Sequence, residues 1–161
     1  MSSPDIVVYT DGSSRGNPGP GGYGIVMQKY GTDYIKEFSE GYRKTTNNRM
    51  ELLAVIVALE KIKQQPQSVH IYTDSKYVSE SVAKKWVDNW EKKNFKNKKN
   101  PDLWTRFLKI YRKHNVSFTW VKGHANNVEN ERCDRLAVAA AENTKFHIID
   151  KGYENGHSDA A

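Results

Sequence analysis

Two stretches of this chain end alike: Ile6-Val7-Val8-Tyr9-Thr10-Asp11, followed by Gly12-Ser13, and Val69-His70-Ile71-Tyr72-Thr73-Asp74, followed by Ser75. Each is a short β-branched, apolar run that closes on a carboxylate, the pattern of a strand delivering an acid to its end. The ligand crevice of an open α/β sheet lies outside the carboxyl ends of its strands, so the repetition places two acids where chemistry is usually done. Two adjacent anions repel unless they share a proton or a cation sits between them. Oxygen-only sites that gather several carboxylates are the natural home of hard divalent ions such as Mg²⁺.

Two further acids stand out by position. Glu51 is the lone acid within Met50-Glu51-Leu52-Leu53-Ala54-Val55-Ile56-Val57-Ala58-Leu59, a helix apolar over most of its circumference and therefore buried. Asp134 directly follows Cys133 beside a stripe of Cys133, Leu136, Ala137 and Ala140. Each acid has an ordinary account of its own: Asp11 starting a turn, Asp74 capping a helix, Glu51 closing a capping box with Asn48, Asp134 on a half-exposed surface. Four such coincidences directed at one edge of a sheet favour a shared site.

The elements that must position these acids follow from periodicity. Residues 12–22 are too rich in Gly and Pro for helix or strand and read as a long turn. That turn lacks a Gly-Lys-Ser/Thr ending and leads into a strand, which excludes a nucleotide-binding P-loop. Residues 22–30 and 33–42, divided by Gly31-Thr32, alternate as a hairpin, and Asn47 or Asn48 caps the buried helix. A helix starts after Ser75, another opens at Pro101-Asp102, Val116–Val121 alternates as a strand, and a last helix starts near Val128. The order predicts an α/β fold: three antiparallel strands, a crossover helix, then parallel strands in one mixed sheet with helices on its faces. Asp11 and Asp74 then share one end of neighbouring strands.

The chain's 161 residues, 37% hydrophobic and 11% aromatic, suit a single domain over 1–161, with a flexible tail expected over about 152–161. No secretory leader or membrane-length apolar run is read, and a lone cysteine, Cys133, cannot form an internal disulfide, so a reducing, cytoplasmic setting is expected. The formal charge is +6, and Ala83–Lys99 alone holds seven lysines against two acids, a surplus of five. Trp86, Trp90 and Phe95 are interleaved with those lysines. Cations neutralise phosphates while rings stack on sugars or bases, so the segment reads as a nucleic-acid surface; the alternative is a solvated helix face with its tryptophans turned inward.

Taken in order, Tyr-Thr-Asp11-Gly-Ser, Gly16-Asn17-Pro-Gly-Pro-Gly-Gly-Tyr-Gly, Thr45-Thr-Asn-Asn-Arg-Met-Glu51-Leu, Thr73-Asp74-Ser, Trp120-Val-Lys-Gly-His124-Ala and Asn130-Glu-Arg-Cys-Asp134 resemble bacterial type 1 ribonuclease H over about residues 5–142. The resemblance implies a ribonuclease H-like fold, a five-stranded mixed sheet with helices on both faces, and hydrolysis of the RNA strand of RNA/DNA hybrids to 5′-phosphate and 3′-hydroxyl ends. It implies that Asp11, Glu51, Asp74 and Asp134 hold two Mg²⁺ ions, with Mn²⁺ a possible substitute, one activating water and the other stabilising the leaving oxygen. It assigns His124 to proton shuttling or product release, a role that an ordinary imidazole suits at neutral pH.

For substrate, the resemblance matches Ser13, Asn17, Asn47 and Asn48 to backbone and groove contacts, and Thr46 to a phosphate contact on the DNA strand. An amide both donates and accepts, as a 2′-hydroxyl demands. Lys84, Lys85, Trp86, Trp90, Lys92 and Lys93 fall in the basic protrusion, about 84–99, of the bacterial members. Two residues and one loop depart from the pattern: Lys76 where Gln is usual, Ser14 for a common Cys, and Asn126-Asn127-Val128 lacking Gly or Pro. The expected partner is the hybrid alone, acted on by a monomer with no obligate protein partner and no membrane. A strand-transfer enzyme of the same superfamily and a catalytically dead binding module are the alternatives.

Overall fold

A computed structural model describes residues 3–122 and 127–156. Five strands, β1 (Ile6–Ser14), β2 (Gly19–Lys29), β3 (Ile35–Thr45), β4 (Ser68–Thr73) and β5 (Asn115–Trp120), form one sheet in the order β3-β2-β1-β4-β5. β1 pairs antiparallel with β2 and parallel with β4; β2 pairs antiparallel with β3, and β4 parallel with β5. This is the mixed sheet that the order of elements predicts, with the crossover helix α1 (Asn47–Lys61) carrying the chain from β3 to β4.

α1 is buried from Arg49 through Leu59 because it lies between the sheet and α4 (Pro101–Tyr111). α2 (Lys76–Ala83) and α3 (Trp86–Lys92) join that layer through Val78, Val82 and Val87. The other face of β1, β2 and β3 is covered by α5 (Val128–Glu142). Asn127 caps α5 by accepting the Asn130 N–H at 3.0 Å, so the polar loop residue that departs from the usual pattern has a local task.

The glycine-rich segment differs from the long turn expected of it. β1 runs on to Ser14 and β2 begins at Gly19, leaving only residues 15–18 as the connection. Gly16 turns the chain at φ +81°, but the glycines on the strands serve close packing. A Cβ on Gly24 would stand 2.3 Å from the Cys133 carbonyl oxygen, and one on Gly22 would stand 2.8 Å from that of Ala137, so α5 seats directly on β2. On the opposite face a Cβ on Gly12 would stand 2.4 Å from the Glu51 nitrogen.

The start of the expected tail, from residue 152, carries local structure. Lys151–Glu154 form a short helix, α6, capped by Asp150 and packed beside β3, with Tyr153 buried; residues 157–161 lie outside the described residues. The reason is a buried ionic knot that local periodicity does not reveal. Arg49, 1% exposed, donates from Nε and Nη2 to Asp150 and from Nη1 and Nη2 to Asp102. Asp150 also accepts the Thr45 hydroxyl at 2.6 Å. A buried cation must be paired on all sides, and the chain after α5 supplies one of the two acids that do so.

Gly24→Ala is expected to cost about 3 kcal/mol, since backbone must give way. Gly31→Ala, where nothing lies within 4 Å but φ is +76°, is expected to cost only about 1 kcal/mol of backbone strain. Urea unfolding of the two variants separates the steric from the conformational cost.

Candidate active site

The parallel register between β1 and β4 matches Tyr9 to Tyr72. Asp11 and Asp74 each follow two residues later, so they emerge side by side from neighbouring strands, above tyrosine rings stacked at 5.0 Å. Glu51 arrives from the first turns of α1, brought within reach by the missing side chain at Gly12. One oxygen from each of Asp11, Glu51 and Asp74 lies within 4.8 Å of the others. Asp134 joins from α5, its carboxyl close enough to that of Asp11 to act on it.

Burial and mutual repulsion dominate the electrostatics. Asp11 is 6% exposed, and burial first, then the Asp74 and Asp134 carboxyls, push its pKa up to about 9. The Gly12 N–H, donating to Asp11 Oδ1 at 2.9 Å, works in the opposite direction. Burial, and then Asp11 and Asp74, raise Glu51 well above the usual carboxylate range. Glu51 Oε1 and Asp74 Oδ1 are buried without a hydrogen-bond partner. Orphaned buried oxygens in an all-carboxylate cluster fit a hard divalent cation, which would supply both the missing partner and the missing charge.

Around the cluster the other candidate residues fall in three places. Thr46, not Asn47 or Asn48, caps α1: its hydroxyl oxygen accepts the Arg49 N–H at 3.2 Å. Asn47 and Asn48 are exposed, and the Asn47 N–H donates to Asn17 Oδ1 at 3.0 Å, so the β1–β2 connection and the start of α1 form one rim. Ser13 is half-buried on β1, two residues beyond Asp11. Lys76 opens α2, its ammonium 4.7 Å above the Trp120 ring. His124 lies outside the described residues, whereas His70, His114 and His147 are engaged in hydrogen bonds within the fold.

The basic segment resolves its two readings residue by residue. Trp90 meets the fully buried Trp104 edge-on at 5.9 Å and anchors the segment. Trp86 is 41% exposed, with the Lys84 ammonium 5.1 Å from its ring. Lys84 pairs with Glu80, and both acids of the segment, Asp88 and Glu91, face Arg112 after α4. Lys85, Lys92, Lys93, Lys96, Lys98 and Lys99 are exposed. Sequence reasoning missed Trp120 and the Arg49 knot. Trp120 closes an alternating strand; it is 42% exposed and its Nε1–H donates to the Asp74 carbonyl at 3.0 Å.

The comparisons with known proteins agree with this geometry. The RNase H family model matches residues 3–142. The chain is 56% identical over 142 residues to a ribonuclease H of Desulforamulus reducens, covering 85% of this chain and 87% of that one. It is 49% identical over 153 residues to ribonuclease HI of Synechocystis, covering 92% and 94%. Among solved structures it is similar to LC9-RNase H1, a type 1 RNase H with the type 2 active-site motif, at TM-score 0.79 and 33% identity over 96% of this chain and 81% of that one. It is also similar to LC11-RNase H1 in complex with an RNA/DNA hybrid, at TM-score 0.65 and 27% identity over 87% and 99%.

A mixed five-stranded sheet with acids converging at its carboxyl edge, together with these relatives, places the chain among ribonucleases. The chain belongs to the RNase H family, within its bacterial type 1 branch.

The raised Asp11 pKa carries a stability consequence with a definite sign. An acid whose folded pKa lies above its unfolded value of 3.8 contributes most stability below that value and loses it as pH rises toward about 9. In EDTA, Asp11→Asn is therefore expected to raise Tm at pH 8, with the gain shrinking toward pH 5. Thermal unfolding at the two pH values checks this, and equal shifts at both would contradict it.

Proposed function

We propose that Asp11, Glu51, Asp74 and Asp134 form the catalytic centre of an endonuclease that hydrolyses the RNA strand of RNA/DNA hybrids, leaving 5′-phosphate and 3′-hydroxyl ends. The observation that carries the reading is the convergence of three carboxyls from β1, α1 and the end of β4, two of them with orphaned buried oxygens. Mg²⁺, or Mn²⁺ in its place, bound as a pair there would supply an activated water and stabilise the leaving 3′ oxygen.

The residues of the chain hold that centre and present the substrate to it. Asp11, steadied by the Gly12 N–H, and Glu51 and Asp74 supply the inner oxygens, while Asp134 reaches them from α5 through Asp11. The exposed amides of Asn47 and Asn48, with Asn17 and Ser13 beside them, offer donors and acceptors to sugars and base edges in a wide minor groove. Thr46, whose oxygen caps α1, keeps its hydroxyl proton for a phosphate. Lys76, Lys84, Lys85, Lys92 and Lys93 attract the phosphate backbones; Trp86 offers an open ring, and Trp90 holds the segment to the body. His124 moves a proton or helps product leave. The buried Cys133 thiol, its ionisation suppressed by burial, takes no part.

We assign the protein to the cytoplasm as a monomer. Its net positive charge supports a polyanionic substrate, and among the described residues no helix is long and apolar enough to cross a membrane.

Incubation with labelled hybrid, duplex RNA and duplex DNA, each with Mg²⁺ and with EDTA, tests the reading; cleavage of the hybrid alone, and only with metal, is the expected result. Asp74→Asn is expected to abolish cleavage while leaving hybrid affinity largely intact, because a ligand is lost and the basic surface stays. Neutralising Lys92, Lys93, Lys96, Lys98 and Lys99 together is expected to raise KM, leave kcat nearly unchanged and flatten the dependence of affinity on salt, measured by titration from low to high NaCl.

A further inference from the structure

We infer that Trp120 is a positioning residue for Asp74, tying the turn that bears this carboxylate to the end of the edge strand. The inference rests on the proposed metal-binding role of Asp74. The β4–β5 ladder reaches Thr73, matched with Trp120, and ends with the Val121 N–H donating to the Thr73 carbonyl at 2.9 Å. Asp74 lies just past that ladder and just before Ser75, the cap of α2. Its carbonyl therefore has neither a sheet nor a helix partner. The indole Nε1–H of Trp120 supplies one, at 3.0 Å.

The turn is held on its other side by the Ser75 N–H donating to Thr73 Oγ1 at 3.1 Å and the Val78 N–H donating to Ser75 Oγ at 3.1 Å. With its neighbours pinned, the orientation of Asp74 is decided by the peptide that Trp120 holds. A tryptophan left 42% exposed at the end of a strand is otherwise poor use of apolar surface. Its ring face is also engaged, with the Lys76 ammonium 4.7 Å away. One side chain thus touches the residue on each side of the α2 cap.

Groups that orient metal-ligating carboxylates, when removed, typically cost about 10- to 100-fold in metal affinity or activity. Trp120→Phe, and 3-benzothienylalanine at position 120, which keeps the bicyclic shape and lacks only the N–H, isolate the hydrogen bond. Both are expected to lower kcat on a hybrid by about tenfold or more, with KM within about twofold of wild type. Both are also expected to weaken Mg²⁺ binding in calorimetric titrations without substrate, while far-UV circular dichroism stays the same.

A fall in Tm with kcat and Mg²⁺ affinity unchanged would reduce Trp120 to edge packing and overturn the inference. A rise in KM alone would make it a substrate contact and overturn it equally. Asp74→Asn is the control: if that variant also binds Mg²⁺ and turns over normally, the assignment of Asp74 fails; if it is inactive while Trp120→Phe is normal, only the role of Trp120 fails.

Discussion

Glu51 reaches Asp11 because residue 12 has no side chain. Its Cβ would lie 2.4 Å from the Glu51 nitrogen, so any other residue would hold the start of α1 away from β1. That close approach creates an electrostatic problem. Unit charges at 4.8 Å, the outer separation of the three ligand oxygens, repel by roughly 3–4 kcal/mol per pair at an effective dielectric of about 20. Without a cation the cluster responds by holding protons: burial first, and then this repulsion, shift Asp11 and Glu51 upward. A dication bound there would have to displace those protons, so its affinity would rise with pH.

Holding such a cluster requires a rigid frame on every side. Arg49, two residues before Glu51, fastens the start of α1 to Asp102 of α4 and to Asp150 beyond α5. β3 joins the same knot through Thr45. Arg49 and Glu51 sit two residues apart without pairing, since the arginine has two carboxylates of its own. On the opposite face α5 rests on Gly22 and Gly24, which sets the height at which Asp134 meets Asp11. Each acid is therefore positioned by an element with its own anchor.

The basic segment follows a similar division of labour. Trp90, packed on Trp104, and the pairing of Arg112 with Asp88 and Glu91 attach α3 to the body of the protein. Engaging both local acids with an arginine from elsewhere leaves the lysines to set the potential of that surface. Fold and surface charge are thereby served by different residues of one short stretch.

Much of this was legible in the residues themselves. Alternation and helical periodicity mark the five strands and the main helices, and the matched Thr-Asp endings place Asp11 and Asp74 together, because parallel neighbours in register carry equivalent positions to one edge. Glu51 stands out as the lone acid in a buried helix, a local contradiction of the kind that marks a candidate site. Other features came only with the tertiary structure. The Gly-rich run reads as a turn since composition does not distinguish a glycine that bends the chain from one that admits a helix. The ends of helices misled in a similar way: Thr46 and not an asparagine caps α1, and the segment after residue 150 is ordered by an arginine a hundred residues earlier. Trp120 escaped notice for the same cause, as its partner is a backbone carbonyl in the turn beyond a neighbouring strand. Residue types and their periods determined which groups are the candidates for the chemistry; distances between remote backbones decided how those groups are held, because close packing is a property of surfaces that meet only after the chain has folded.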